Sequence, residues 1–126
     1  MKLPHRFLHA ARLADGMLFW PLLAYVIWGE LTPHIPDYLG HMNDKLMHFM
    51  AYFLLAGMAT LALKTRSPAV AVIGLVVLGG VLEILQGFVG RDMSFYDELA
   101  NALGAIAGGL AGRGAVQRLR RWSGYW

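Results

Sequence analysis

The chain has 126 residues, of which 57% are apolar and 15% charged, with a formal charge of +3 and no cysteine. A soluble domain carries nearer ~25% charge, so a water-facing fold of this size would lack the charge to cover its surface; the length suits one domain, residues 1–126. The missing cysteine excludes disulfides, thiolate metal sites and thiol nucleophiles, and cations gathered mainly at the chain ends and in one loop argue against nucleic acid as a partner.

Taken in order, Lys2, Arg6 and Arg12 precede an apolar stretch, as in a signal peptide. No small-x-small cleavage site follows; the stretch runs into Trp28-Gly29-Glu30-Leu31-Thr32-Pro33, so a retained first span over residues 13–31 is expected. Before it, Leu3, Phe7, Ala10, Ala11 and Ala14 share one helical face and Arg6, His9 and Arg12 another. That pattern fits a short N-terminal interfacial helix as well as it fits a basic tail.

Three further spans follow, each close to the ~20 residues that cross a bilayer. Residues 46–63 hold His48 as their one titratable group, residues 68–89 carry Glu83, and residues 95–112 open with Asp97, Glu98 and Asn101 before turning Ala/Gly-rich. Open strands cannot satisfy their backbone in lipid, so the predicted fold is an all-α membrane protein, a bundle of four transmembrane helices with short loops. Nine of the eleven Lys and Arg residues fall on one side of such a bundle, with Lys45 and Arg91 alone on the other. The positive-inside rule then sets both termini in the cytoplasm, with the opposite ends on the outer side. Gly104, Gly108 and Gly112 recur every four residues, a spacing that lets helix backbones approach, either within the chain, with Gly79 and Gly80 as the facing groove, or across a homodimer. The tail Arg118-Leu119-Arg120-Arg121-Trp122 reads as an interfacial anchor.

The polar residues inside the spans fall at helical spacing. Asp44 and His48, with Tyr52 a turn further, share one face of the second span; Glu83 and Gln86 share one of the third, and Asp97 and Asn101 one of the fourth. The charge-derived topology brings all three helix ends to the outer side. Glu83 lies seven residues before Gly90, about 10 Å along its helix. A carboxylate at such a depth costs a few kcal/mol even on the milder insertion scales, so it must face the interior and is a functional candidate by default. Arg91, at the rim, could clamp an anion bidentately. Structural explanations stand beside these: Asp44 and Asp97 as helix caps, the latter behind Ser94, His48 as a packed histidine, and Tyr52 and Asn101 as supporting residues.

The segment Asp44-Lys45-x-x-His48-x-x-x-Tyr52-x-x-Leu55 resembles the opening motif of the VanZ-like proteins, named for a teicoplanin-resistance factor. Glu83-x-x-Gln86 followed by Gly90-Arg91-x-x-Ser94-x-x-Asp97-x-x-x-Asn101-x-x-Gly104-x-x-x-Gly108 is similar to the rest of the family pattern, so the likeness spans residues 44–108. It implies a bacterial cell-envelope membrane protein, of a family linked in some members to resistance against lipoglycopeptides such as teicoplanin, and for which action on lipid head groups has been proposed. The residues it carries over as a polar site are Asp44, His48, Glu83, Gln86, Arg91, Asp97 and Asn101, without individual roles.

Two functions compete. In the first, the chain is a hydrolase or transferase acting on a phospholipid or polyprenyl-phosphate head group at the outer leaflet. His48, oriented by Asp44, would be acid/base or nucleophile, with Glu83 and Asp97 beside it. Gln86, Arg91, Asn101 and Tyr52 would bind ligand. A divalent cation, if used, would sit on Glu83, Asp97 and His48. In the second, the same pocket holds a lipid-linked cell-wall precursor or a lipidated antibiotic without catalysis. A transporter is a weaker fit, because four short helices show no inverted repeat.

Overall fold

The computed structural model describes residues 5–32, 42–63, 68–90 and 93–123. Within them the chain is all-helical: α1 His5–Leu31, α2 Met42–Leu63, α3 Ala69–Phe88 and α4 Phe95–Ser123, with no strand among the described residues. Lys45–Leu63 and Ala69–Phe88 are each long and apolar enough to cross a membrane, and α1 contains a shorter apolar stretch, Gly16–Leu31.

The helix ends differ from expectation in three places. The predicted interfacial helix and the first span are one continuous helix, α1, which runs through Pro21 without ending. α2 starts a turn early at Met42, so Asp44 lies inside its first turn rather than at a cap. α4 continues past residue 112 to Ser123, carrying the basic tail as helix, and Val116 within that extension is wholly buried. α3 ends where its sequence says it should. The Val89 N–H bonds the Gln86 carbonyl at 3.2 Å, and Gly90 follows at φ 83°, a left-handed position that glycine fills without a Cβ penalty.

Contacts between named pairs give the directions of the helices. Gly104, Gly108 and Gly112 of α4 meet Phe49, Phe53 and Thr60 of α2 in the same order, so these two run parallel. Gly16 lies by Ala62, and Glu30 by His48, so α1 is antiparallel to α2. Gly79 lies by Asn101, and Gly109 by Pro68, so α3 is antiparallel to α4. The result is an up-down-up-down bundle whose α1 and α3 finish at the end where α2 and α4 begin.

α2 and α4 approach backbone to backbone. A Cβ on Gly104 or Gly108 would collide with the carbonyl oxygen of Phe49 or Phe53, and one on Gly112 would fall 2.8 Å from the Thr60 Cβ. The glycine stripe is therefore filled by α2 of the same chain. Its partner is not the Gly79–Gly80 pair; Gly79 makes room instead for Glu98, Asn101 and Tyr52. Only Gly109 turns to α3, against Val72 and Pro68.

The apolar core is small: Val26, Tyr52, Leu55, Ala56, Leu75 and Ala105. Large apolar side chains lie outside it. On α3, Val70, Ile73, Val77, Val81, Ile84 and Phe88 are exposed along the whole helix at three- and four-residue intervals, while Ala71, Leu75, Gly79, Leu82, Glu83 and Gln86 are buried. The polar side chains of α3 are thus turned inward and most of its large apolar ones outward, the reverse of a water-soluble helix.

Candidate functional site

Apart from Thr60, the buried polar side chains among the described residues collect at the end of the bundle where α1 and α3 finish. Glu30 from α1, His48 from α2, Glu83 and Gln86 from α3, and Asp97 and Asn101 from α4 are all buried there, with Tyr52 one turn deeper. Helical spacing explains the convergence on each element, and the bundle's alternating direction brings the elements together.

Asn101 and Glu98 determine how His48 sits. Asn101, wholly buried, places its amide nitrogen 3.4 Å from Glu98 Oε2, and a carboxylate can only accept. The amide oxygen therefore faces His48, with Oδ1 3.0 Å from Nδ1, and the ring must donate through Nδ1. Glu30 Oε1 stands 3.6 Å from the same nitrogen. Neutral His48 then carries its lone pair on Nε2, which points toward Asp97 Oδ2 at 3.9 Å. Asp97 is shared with the rim: Lys45 Nζ, on a side chain 56% exposed, donates to Oδ1 at 3.2 Å.

Glu83 also has a structural bond that depth alone does not suggest. Its Oε1 accepts the Ser94 N–H at 2.5 Å, tying the α3–α4 turn to the bundle interior. Its Oε2 is buried with no hydrogen-bond partner among the described residues. Ser94 rather than Asp97 caps α4, since its hydroxyl accepts from the Asp97 N–H at 3.4 Å, while the Asp97 carboxylate turns inward to Lys45 and His48. Ser94→Ala is expected to lower stability by about 0.5–1 kcal/mol, the lower part of the capping range because the bond is long. Thermal unfolding in detergent measures it, and a shift above that range would mean the hydroxyl serves more than the cap.

Gln86 departs from its expected role. Its amide donates to the Glu30 backbone carbonyl at 2.9 Å, so it ties α3 to the last turn of α1 and is 1% exposed. Tyr52 is wholly buried, with its hydroxyl beside Glu30. Arg91 and the side chain of Asp44 lie outside the described residues. Among those described, the group on His48 Nδ1 is Asn101, not the carboxylate four residues earlier on the same helix. No three His, Asp or Glu side chains among the described residues are placed to hold a metal ion, so Glu83, Asp97 and His48 do not assemble as a cation site.

Two carboxylates escaped the sequence reading. Glu30 was passed over as the end of the first span, yet the same topology that aligned the other three helix ends puts it opposite the start of α2. Glu98 figures in the sequence pattern only as one of the residues that open the fourth span. It lies one turn from Asn101, and the small residue that admits it, Gly79, is on another helix.

Comparison with protein-family models, with curated proteins and with solved structures finds no significant match for this chain.

Proposed function

We propose that this chain is a VanZ-like protein of the bacterial inner membrane that crosses the bilayer four times and carries out acid–base chemistry on a lipid head group at the outer leaflet. The observation that carries the reading is His48. A buried imidazole held in one tautomer by Asn101, with Nε2 facing Asp97, is arranged as a general base.

Several features support the membrane setting. α2 and α3 meet the length and hydropathy of a span. The exposed apolar stripe on α3 continues on α4 as Leu99, Leu103, Ile106 and Leu110, surfaces that lipid covers without cost. The apolar stretch of α1 is shorter and α4 is less apolar, as helices that shield a polar interior can be. On this reading both termini are cytoplasmic, where nine of eleven cations gather, and the polar end opens to the periplasm. The motif resemblance of residues 44–108 points to the same setting and to lipid-linked chemistry.

In the reaction proposed, Nε2 takes the proton of an attacking water or alcohol as its oxygen bonds to the head-group phosphorus. The ester bond from phosphorus to the leaving oxygen breaks, and that oxygen takes the proton back from the imidazolium. Asp97 stabilises the imidazolium between the two transfers, and Lys45 at the rim faces the phosphate.

The test compares the lipid composition of membranes with and without expression, using His48→Gln as the inactive control. A head-group species that accumulates or disappears with the wild type and not with the variant is the expected result. Identical lipid profiles in all three membranes, together with no turnover in proteoliposomes, would leave the pocket as a non-catalytic binding site for a lipid-linked precursor or lipidated antibiotic.

A further inference from the structure

A cleft of about 460 Å³ lies where α1, α2 and α3 meet, in the half of the bundle away from the polar end. On α3 its lining runs from Val70 to Leu78, within the first half of Ala69–Phe88; on α2 it runs from Ala59 to Leu63, at the end of that helix. Leu78 is about 8 Å along α3 from Glu83, and Ala59 about 16 Å along α2 from His48. The cleft exists because residues around it are small: Gly16 of α1, Ala59 and Ala62 of α2, Ala71 and Gly74 of α3. A Cβ on Gly74 would meet nothing within 4 Å.

Its chemistry is that of hydrocarbon. Every lining residue is apolar, and the Trp20 indole nitrogen is the one polar side-chain atom among them. An ion, a sugar or a phosphate would be desolvated there without partners. The mouth is open: Trp20, Leu63, Val70 and Gly74 are exposed, and Met17, Ile73 and Val77 next to lining residues continue the apolar surface. Left empty, such a cleft forfeits the dispersion contacts of its walls.

A bilayer offers two apolar occupants, a lipid chain and a helix of a second copy, and size decides between them. From Val70 to Leu78 the cleft is about 12 Å long, and a helix 10 Å across needs about 900 Å³ over that length. That is twice the space present, whereas an extended chain one methylene wide fits. We propose that the cleft binds one acyl chain of a phospholipid from the cytoplasmic leaflet. The inference rests on the bilayer setting proposed above and is independent of the head-group chemistry. A chain entering from the periplasmic side ends near the midplane, about 15 Å in. On α3 that depth is Leu78, where the cleft begins.

The experiment places the full chain in vesicles of phosphatidylethanolamine and phosphatidylglycerol. They contain a phospholipid with a photoreactive diazirine on one acyl chain, either near the ester or at the methyl end. After irradiation, labelled residues are located by mass spectrometry. Cleft residues should carry about tenfold more label than the exposed Val81 and Ile84, the equivalent of about two more buried methylenes. The label near the ester should fall by Gly16 and Val70, and the one at the methyl end by Leu23 and Leu78. Gly74→Leu fills the cleft with the protein's own side chain and should lower its labelling to that of Val81. Gly74→Ala shares the gain in helix propensity but leaves most of the volume, and should keep the label.

Equal labelling of cleft and outer face, or a cleft label that Gly74→Leu leaves unchanged, overturns the inference. So does the reverse order of the two labels, which means a chain from the other leaflet, or an unlabelled cleft in a chain that forms dimers. Should Gly74→Leu not fold, the wild-type pattern decides. A carbonate wash separates this claim from the one beneath it: a chain stripped from the vesicles removes the bilayer setting, whereas a wash-resistant chain with uniform label removes only the acyl site.

Discussion

Replacing His48 with alanine is expected to cut head-group turnover in proteoliposomes about a hundred- to ten-thousand-fold, the range one acid–base group supplies. The geometry makes this ring hard to substitute. Asn101 holds Nδ1 at 3.0 Å and is itself oriented by Glu98, so a single nitrogen, Nε2, faces Asp97. Removing the side chain also leaves a void in a buried position, and a collapsed bundle would lose activity for that reason alone. His48→Gln guards against this, because it keeps most of the volume and an amide that can bond to Asn101, but no group that accepts and returns a proton near neutral pH. Both variants should lose turnover while the glutamine form unfolds near the wild-type temperature. Asn101→Leu should fall between them and the wild type, since it frees the ring to adopt the other tautomer. Wild-type turnover in His48→Gln would remove His48 from the chemistry and favour binding without catalysis.

Gly108→Ala should destabilise the bundle by about 3 kcal/mol, the upper end of the overpacking range. The added Cβ would meet the Phe53 carbonyl oxygen and lie within 2.7 Å of its carbon. Backbone cannot turn aside as a side chain can, so α2 and α4 must separate. That movement would carry His48 away from Asn101 and Asp97, and activity should fall with stability. Gly114→Ala is the matched control on the same helix. Nothing lies within 4 Å of its Cβ, and alanine should leave stability unchanged or raise it by up to ~1 kcal/mol. Unfolding in denaturing detergent, monitored by helical signal, separates the two. Equal stability of both variants would mean that the helices are not in backbone contact at Gly108.

Much of this arrangement was legible from residue order. Long apolar runs, too long for strands, located all four helices. The i, i+4 pairs and alternating direction brought Asp97, Asn101 and His48 to one end. Gly90 ended α3 and Ser94 began α4 at the expected positions, since a left-handed glycine and a serine cap act through their own backbone neighbours. These are local effects, and local effects are written in local sequence.

The pairings between helices were not. Which helix fills the glycine stripe depends on rotation about each helix axis, and spacing alone leaves that angle open. The stripe therefore looked suited to α3 or to a second copy, and only the packed bundle assigned it to α2. The same rotation turned Glu30 and Glu98 inward, sent the Gln86 amide to the Glu30 carbonyl, and put Asn101 on the His48 nitrogen. Sequence by itself determined that polar groups would gather at one end of a helical bundle. Tertiary structure decided which of them touch, because hydrogen bonds need contact within about 3 Å, and that distance is set by how closely Gly104 and Gly108 let two backbones approach.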